Sequence, residues 1–301
     1  MPPPGEPLFP FVSLMCEHRR RRSIHAPFLV FRRSVVQVDE FKSGIAQMCE
    51  LGDYLPVARF TEPAARQLLG RVGVVAGQRV LEAAAGYGNA AVLAAELDAR
   101  VTAFDLADRM VEQGTARTTA AGLDVRWTKG DLEDIPLPDR SFDVVVSTFG
   151  MECAPRPEVA VRELHRVLDD GGRLGLAQWM PDGHMGRLYE IFGQWKDRLP
   201  DFLDPFDWGR EEGITEFLSD WFTGIEITEH TLPWRFASLD AAHAYWEQNF
   251  PPTIGLFLAL GDEADELKKA INDLTVQHAR VEPSGAAVLE FQYVTVVADA
   301  R

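Results

Sequence analysis

Short apolar strands alternate with helical segments between residues 79 and 179, and this alternation limits the possible folds more than any other feature. The predicted strands are residues 79–82, 101–104, 124–127, 142–147 and 173–179, and the predicted helices between them are 89–97, 108–121 and 157–168. Short loops that join strands to helices in this order build a parallel sheet with helices on both faces. The sequence therefore predicts a doubly wound, mostly parallel α/β fold.

The chain outside this alternating region divides into three further parts. Residues 1–37 are proline-rich at the start and carry a run of four arginines, so we expect a disordered basic tail before a folded domain of 38–301. The core of that domain is expected at about 38–180. Helical cap insertions are expected at about 181–222 and 238–282, separated by a strand at 225–230. A last strand at 291–298 is expected to close the sheet as a terminal antiparallel strand.

Charge and cysteine content exclude several classes of function. The net charge of −16 disfavours a nucleic-acid partner, because a phosphate-binding surface needs clustered Lys and Arg. Cys16, Cys49 and Cys153 are scattered without metal-ligand spacing, so we expect no metal site and a reducing, cytoplasmic location. No apolar run reaches the length of a membrane span.

The turn after the first predicted strand has the composition of a nucleotide-binding loop. It contains Ala84, Gly86 and Gly88, small residues that let the backbone approach a ligand, and the next helix would point its first amides at that ligand. Alone, this turn also fits a relaxed dinucleotide fingerprint. Glu82 at its start would repel a pyrophosphate, and it suits a ligand that carries an amino group and a sulfonium.

Two acidic residues follow the next two predicted strands. Asp105 ends the second strand, where a carboxylate accepts hydrogen bonds from ribose hydroxyls, although it could also cap the strand. Asp131 follows the third strand after Gly130, where an acceptor can bind an adenine amino group or simply form a turn. The two residues together favour a nucleoside ligand more strongly than either does alone.

With these motifs, the sequence resembles the class I S-adenosylmethionine-dependent methyltransferases, and among them the small-molecule enzymes that methylate quinones and sterols. The resemblance implies a Rossmann-like fold. It is carried by residues 80–89, Asp105, Gly130-Asp131, residues 136–145, and residues 162–168 with Gly171-Gly172. Two positions depart from the family pattern: Ala84 stands for the commonest first glycine, and Asp169-Asp170 for a Lys-Pro pair.

The resemblance implies S-adenosylmethionine as the cofactor, S-adenosylhomocysteine as its product, and a role for each matched residue. Ala84, Gly86 and Gly88 would cradle the methionine part, with Glu82 near its amino group. The resemblance also places Thr148 and Phe149 below the sulfonium.

The adenosine end of the cofactor is assigned to other residues by the same resemblance. Asp105 would hold the ribose and Leu106 would lie against the adenine. Asp131 and the Leu132 backbone would bind the adenine edge. Tyr54 matches a lid segment of related enzymes and would cover the cofactor, although plain packing is an equal alternative.

Methyl transfer from a sulfonium needs an acceptor held in line and a general base only if the acceptor must lose a proton. Glu152, His184 and His243 are candidates for that base, and each could instead be solvated or structural. Aromatic residues in the cap segments predict a cover over an apolar or aromatic small molecule, or packing of the cap on the sheet. A nicotinamide-dependent oxidoreductase and a non-catalytic partner protein stay open as alternatives.

Overall fold

A computed structural model describes residues 35–198 and 205–301 of the chain. Most of the predicted basic tail, residues 1–34, lies outside the described residues. Helix α1 begins at Val35, so the tail boundary expected after residue 37 falls inside this helix.

Helices and strands alternate along the described chain as the sequence pattern predicts. The strands are β1 Arg79–Ala83, β2 Arg100–Asp105, β3 Val125–Lys129, β4 Phe142–Thr148, β5 Leu168–Trp179, β6 Phe222–Phe236, β7 Arg280–Val281 and β8 Ala287–Ala300. The helices are α1 Val35–Met48, α2 Tyr54–Val72, α3 Asn89–Ala95, α4 Asp108–Ala120, α5 Pro157–Val167, α6 His184–Phe192, α7 Glu211–Leu218, α8 Leu239–Gln248, α9 Pro251–Leu260 and α10 Ala264–His278.

The strands form one sheet in the order β3-β2-β1-β4-β5-β8-β6, with β7 paired to β8. Strands β1 to β5 are parallel, and β8 runs antiparallel between β5 and β6. The predicted doubly wound sheet with a terminal antiparallel strand is therefore confirmed. Chain order reverses between β1 and β4, and in open α/β sheets ligands bind outside the carboxyl ends of the strands at such a point.

Side chains on the two faces of the sheet enter two separate apolar layers. Val80 and Val146 pack with Leu68 of α2 on one face. Leu81 and Val145 pack on the other face, where α5 contributes much of the cover. Burial of β1 and β4 on both faces explains their continuous apolar sequence and fixes the site residues at their ends.

The break between the first two helices has a clear local cause. Asp53 caps the start of α2, and its carboxylate accepts the amide of Leu55 at 3.0 Å. Gly73 ends α2 with a φ of 78°, a left-handed conformation that glycine adopts freely.

Strand β6 is longer than the predicted segment of residues 225–230. Leu232, Trp234 and Phe236 alternate with more exposed residues and are buried against the cap helices. Pro233 made this stretch a poor candidate for a strand, because proline cannot donate a ladder hydrogen bond. Since β6 is the edge strand of the sheet, the proline is tolerated there.

The helical cap segment expected at about 238–282 contains three helices, α8, α9 and α10. Helix α8 ends before Asn249, and α9 begins with Pro251, which needs no amide hydrogen bond in the first turn. Gly261, with a φ of 54°, ends α9. These helices cover the face of the sheet that carries Trp179 and Trp234, as α6 also does.

Candidate active site

The turn between β1 and α3 has a left-handed backbone at three of its small residues. The φ angles of Ala84, Gly86 and Gly88 are 50°, 52° and 72°. A Cβ atom on Gly86 would meet no atom within 4 Å, whereas one on Gly88 would lie 2.6 Å from Cζ2 of Trp127. Gly88 is therefore required for packing, and Gly86 leaves open space over which a ligand can approach the backbone.

Ala84 stands next to Gly150, which follows β4. A Cβ atom on Gly150 would lie 2.6 Å from the Cβ of Ala84 and 2.8 Å from Oγ of Ser147. The alanine that replaces the family's usual glycine is thus accommodated by a glycine across the cleft. Its left-handed backbone costs about 1–2 kcal/mol relative to glycine.

Glu82 binds the start of helix α3 rather than facing open space. Glu82 is almost fully buried, with 1% of its surface exposed. Its two carboxylate oxygens accept the amides of Ala90 at 3.0 Å and Ala91 at 2.6 Å. Burial raises the pKa of Glu82 to about 7, and the two amides oppose that rise. The helix amides expected to face a ligand are therefore occupied, and contact of Glu82 with a cofactor amino group stays a prediction.

Asp105 connects the two loops at the carboxyl ends of β1 and β2. Its Oδ2 atom accepts the amide of Gly86 at 2.8 Å, and Oδ1 accepts the amide of Ala107 at 3.0 Å. Burial raises the pKa of Asp105 and these amides lower it. Each carboxylate oxygen keeps a second acceptor direction. The residue can therefore accept two ribose hydroxyls, with Leu106 half-buried beside it.

Asp131 is held by a lysine that sequence reasoning missed. Its Oδ2 atom lies 2.6 Å from Nζ of Lys42, and Oδ1 accepts the amide of Glu133 at 2.9 Å. Lys42 also pairs with Oε2 of Glu133 at 2.5 Å, and Nη2 of Arg156 pairs with the same buried oxygen at 2.6 Å. Leu132, between the two acids, is buried.

The segment between α1 and α2 is bound to the start of α4. Arg109 donates to the carbonyls of Cys49 at 3.3 Å and Gly52 at 2.9 Å, which ties this segment to α4. Tyr54 stacks on Tyr87 with ring centroids 6.4 Å apart. Burial raises the pKa of Tyr54, and the charge of Asp105 contributes to the rise, so the phenol lies within electrostatic reach of that carboxylate.

Phe149 adopts a strained backbone conformation at the end of β4. Its φ of 59° is uncommon for a bulky residue, and such strain gathers at functional sites. The ring stacks on Trp179 with centroids 3.6 Å apart and an interplanar angle of 5°. The hydroxyl of Thr148 is buried without a hydrogen-bond partner in the part of the chain that the structure describes.

The three candidate bases occupy different surroundings. Glu152, in the 3₁₀ turn Met151–Cys153, has a pKa raised to about 8 by burial, and its charge acts on Tyr54. His184 is 2% exposed between Trp246 and Phe291, and burial lowers its pKa to about 3, so its ring is neutral. His243 lies on the cap helix α8. Of the three, Glu152 is the residue whose charge contributes to the raised pKa of Tyr54.

The two described cysteines are neutral thiols. Burial raises the pKa of Cys49 to about 12 and that of Cys153 well above its usual value. Neither is therefore a thiolate nucleophile. Within residues 35–198 and 205–301, no group of three His, Cys, Asp or Glu side chains could hold a metal ion. Nor is any described helix both long and apolar enough to cross a membrane.

The sequence is similar to known proteins, both over the region with the predicted cofactor motifs and over most of the chain. Residues 81–176 match the methyltransferase domain family. An uncharacterized protein of Mycobacterium tuberculosis is 32% identical over 260 residues, which are 84% of this chain and 93% of that protein. The chain belongs to the class I S-adenosylmethionine-dependent methyltransferase family.

Two further comparisons bear on the branch and the fold of this methyltransferase. The ubiquinone/menaquinone biosynthesis C-methyltransferase UbiE of Rubrivivax gelatinosus is 42% identical over 118 residues, 39% of this chain and 46% of that enzyme. The predicted likeness to quinone-methylating enzymes is supported over that part. The crystal structure of YcgJ from Bacillus subtilis aligns with a TM-score of 0.54 at 20% identity, over 79% of this chain and 97% of that one, which shows the shared fold.

Three residues of the methyltransferase cleft escaped sequence reasoning. Lys42 is the one basic residue of helix α1, whose other residues are uncharged or acidic. That feature of the sequence could have indicated an acidic partner for Lys42. Arg109 sits in the first turn of α4, directly after the acidic motif. Gly150 follows the strand that ends at Thr148, and no pattern links it to Ala84.

Proposed function

We propose that this methyltransferase transfers the methyl group of S-adenosylmethionine to a small-molecule acceptor that binds beneath the cap. The observation that carries the proposal is the Asp105 carboxylate, which is fixed by the amide of Gly86 beside the open face of that glycine. A bound S-adenosylmethionine supplies a methyl carbon on a sulfonium, with a neutral thioether as the leaving group.

The residues of the cleft would hold the cofactor in three places. Asp105 would accept the ribose hydroxyls, and charge-assisted hydrogen bonds of this kind are strong. Gly86 would let the backbone approach the methionine part. Asp131, oriented by its ion pair with Lys42, would accept the adenine amino group. Leu106 and Leu132 would line the adenine.

Tyr54 and Phe149 would exclude water from the site and orient the acceptor. The position of Tyr54, stacked on Tyr87 of the turn after β1, supports a lid role. Phe149 offers an aromatic edge next to Trp179, which supports an apolar or aromatic acceptor. A water-free cavity strengthens the electrostatic interactions that position the reacting atoms.

An oxidoreductase with a nicotinamide cofactor would need to bind a pyrophosphate at the same turn. Asp105 is buried beside that turn, and a negative charge there opposes a pyrophosphate. The family membership also supports the methyl donor. A non-catalytic partner role has no observation in its favour.

Thermal unfolding with added ligands tests the proposal. S-adenosylhomocysteine at a hundred times its dissociation constant should add about 2.7 kcal/mol of stability, while NAD and NADP should add none. Mass spectrometry of ligands carried through purification provides a second measurement. Stabilisation by a nicotinamide nucleotide together with indifference to S-adenosylhomocysteine would overturn the proposal.

A further inference from the structure

Strands β6 and β8 extend past the carboxyl edge of the parallel part of the sheet. Pairing of β5 with β8 ends at Trp179, whereas the ladder between β6 and β8 continues to Phe236 and Ala287. We call residues 232–236 and 287–291 the arm. Since β5 and β6 are both antiparallel to β8, the arm lies beyond the carboxyl end of β5. Ligands of open α/β sheets bind on this side, so the arm is a wall of the expected acceptor site.

A continuous layer of aromatic rings connects the arm to Phe149. Phe149 stacks on Trp179, and the ring centroid of Trp179 lies 6.2 Å from that of Trp234 in the arm. Trp234 packs in turn on Tyr245 of α8 at 5.6 Å and on Phe60 of α2 at 4.7 Å. This aromatic layer therefore runs from the predicted sulfonium position to the cap. Phe60 is half-buried, so the layer reaches the protein surface at that ring.

Four side chains along this layer bury polar atoms that have no hydrogen-bond partner in the described part of the chain. These atoms are Nε1 of Trp234, the hydroxyls of Tyr245 and Thr148, and both ring nitrogens of His184, which packs on Phe291 of the arm at 4.8 Å. Trp234 is fully buried and Tyr245 is 5% exposed. Buried polar atoms are nearly always hydrogen-bonded, and each one left unpaired costs stability. Their concentration in one layer indicates a bound molecule that supplies the missing partners.

The groups of this layer are neutral at pH 7. Burial raises the pKa of Tyr245 and lowers that of His184 to about 3. The indole of Trp234 can only donate a hydrogen bond, and the phenol of Tyr245 can donate one as well. Phe236 packs on the Tyr245 ring at 5.5 Å, as Phe60 also does, and neither ring offers a counter-charge. A charged group would be buried here at a high cost, so the layer favours a neutral oxygen that accepts hydrogen bonds.

We propose that the methyl acceptor is a neutral aromatic molecule with an oxygen atom that accepts hydrogen bonds from Nε1 of Trp234 and the hydroxyl of Tyr245. This inference rests on the proposed function, since it names the substrate class and two binding residues of the same site.

Trp234 and Tyr245 act in this account by orienting the methyl acceptor. The rings of the layer pack against its apolar part, and the two hydrogen bonds fix its oxygen at the arm. The rest of the molecule then extends toward Phe149, where the sulfonium is predicted. Each residue leaves a polar atom unpaired when the site is empty, so binding of the oxygen recovers a cost already present in the free protein.

Calorimetry with probes of matched shape tests the inference on protein saturated with S-adenosylhomocysteine. Acetophenone and indanone carry an aromatic ring and a carbonyl oxygen. Isopropenylbenzene and indane keep these shapes without the oxygen, and α-methylbenzylamine and aminoindane carry an ammonium in its place. Tyr245→Phe removes one hydrogen-bond donor and keeps the ring. Tyr293→Phe is the matched control, because Tyr293 is buried on β8 in the same apolar core and its ring stacks on His230.

We expect at least one ketone to bind wild type and Tyr293→Phe equally, and about tenfold more tightly than the hydrocarbon or the ammonium of the same shape. Tyr245→Phe should bind that ketone about three- to tenfold more weakly, while its affinity for the hydrocarbon changes less than about twofold. Trp234→Phe also makes the ring smaller, so the ratio of ketone to hydrocarbon affinity is compared there. That ratio should fall by about three- to tenfold.

Thermal unfolding without ligand separates a binding role of the Tyr245 hydroxyl from a structural one. Removal of a buried hydroxyl that has no partner should leave the Tm of Tyr245→Phe equal to that of wild type or raise it. Removal of a hydroxyl that is paired within the fold would lower the Tm by about 2 °C or more.

Four results would overturn the inference. They are equal ketone affinity for wild type and Tyr245→Phe, no preference of wild type for the ketones, absence of ketone binding to the saturated protein, and a lowered Tm of ligand-free Tyr245→Phe. Each of these leaves the binding of S-adenosylhomocysteine intact. Failure of S-adenosylhomocysteine to bind in the first titration would instead count against the proposed function.

Discussion

The amide of Gly86 donates a hydrogen bond to Oδ2 of Asp105 at 2.8 Å, and this bond joins the loops that follow β1 and β2. The other oxygen of Asp105 accepts the amide of Ala107, so the carboxylate is oriented by backbone from both of its sides. A ligand that uses the remaining acceptor directions therefore meets a group whose position is already fixed, which lowers the entropic cost of binding.

Substitution of Lys42 tests whether helix α1 belongs to the cofactor site. Lys42→Ala removes the cation that pairs with Asp131 and Glu133 at 2.6 Å and 2.5 Å. Arg156 still neutralises Glu133, so we expect a modest loss of stability of about 1 kcal/mol. Affinity for S-adenosylhomocysteine should fall by about three- to tenfold, because Asp131 loses the group that orients it.

Isothermal titration calorimetry and urea unfolding measure these two effects. Lys269→Ala is the control, since that lysine is 75% exposed on α10 and pairs with the exposed Asp273 there. If Lys42→Ala kept wild-type affinity for S-adenosylhomocysteine, α1 would be packing on the domain without a part in the site.

The strands and acidic motifs of the cofactor half were readable from sequence because each depends on local pattern. A strand buried on both faces must be apolar throughout, as β4 is, and Asp105 follows directly from the end of β2. Strand β6 was underestimated because Pro233 is acceptable only on an edge, and edge position is a property of the whole sheet. Lys42 and Asp131 are far apart in the sequence, so no local sequence pattern predicts their contact.

A double-mutant cycle tests the pairing of Ala84 with Gly150. Gly150→Ala places a methyl group 2.6 Å from the Cβ of Ala84, so we expect a destabilisation of about 1–3 kcal/mol. In an Ala84→Gly background part of the clash disappears, and the penalty should shrink by at least about 0.5 kcal/mol. Chemical unfolding of the four proteins gives the coupling energy, and strict additivity would show that the two sites do not meet.

Glu152 should make stability fall as pH rises. Its pKa is raised from 4.5 to about 8 in the folded protein, so the folded state holds its proton more tightly than the unfolded state does. The stability of wild type relative to Glu152→Gln is therefore greatest below pH 4.5 and is lost progressively up to pH 8. We expect the difference between the two proteins to change by about 1–3 kcal/mol between about pH 5 and 8.5, after allowance for solvent access.

Unfolding free energies of wild type and Glu152→Gln across this pH range provide the measurement. Glu190→Gln, on helix α6, is the control and should show the same pH dependence of stability as wild type, because Glu190 is exposed. A constant difference between wild type and Glu152→Gln would mean that Glu152 titrates normally.

The affinity of Asp105→Ala for S-adenosylhomocysteine tests the central claim most directly. Two charge-assisted hydrogen bonds to the ribose would be lost, so calorimetry should show affinity lower by about one to two decades. Asp108→Ala is the matched control, because Asp108 forms an exposed ion pair with Lys129 at 2.8 Å and such pairs contribute little. We predict wild-type affinity for Asp108→Ala and a large loss for Asp105→Ala. Wild-type affinity in both variants would contradict the assignment of the cofactor cleft.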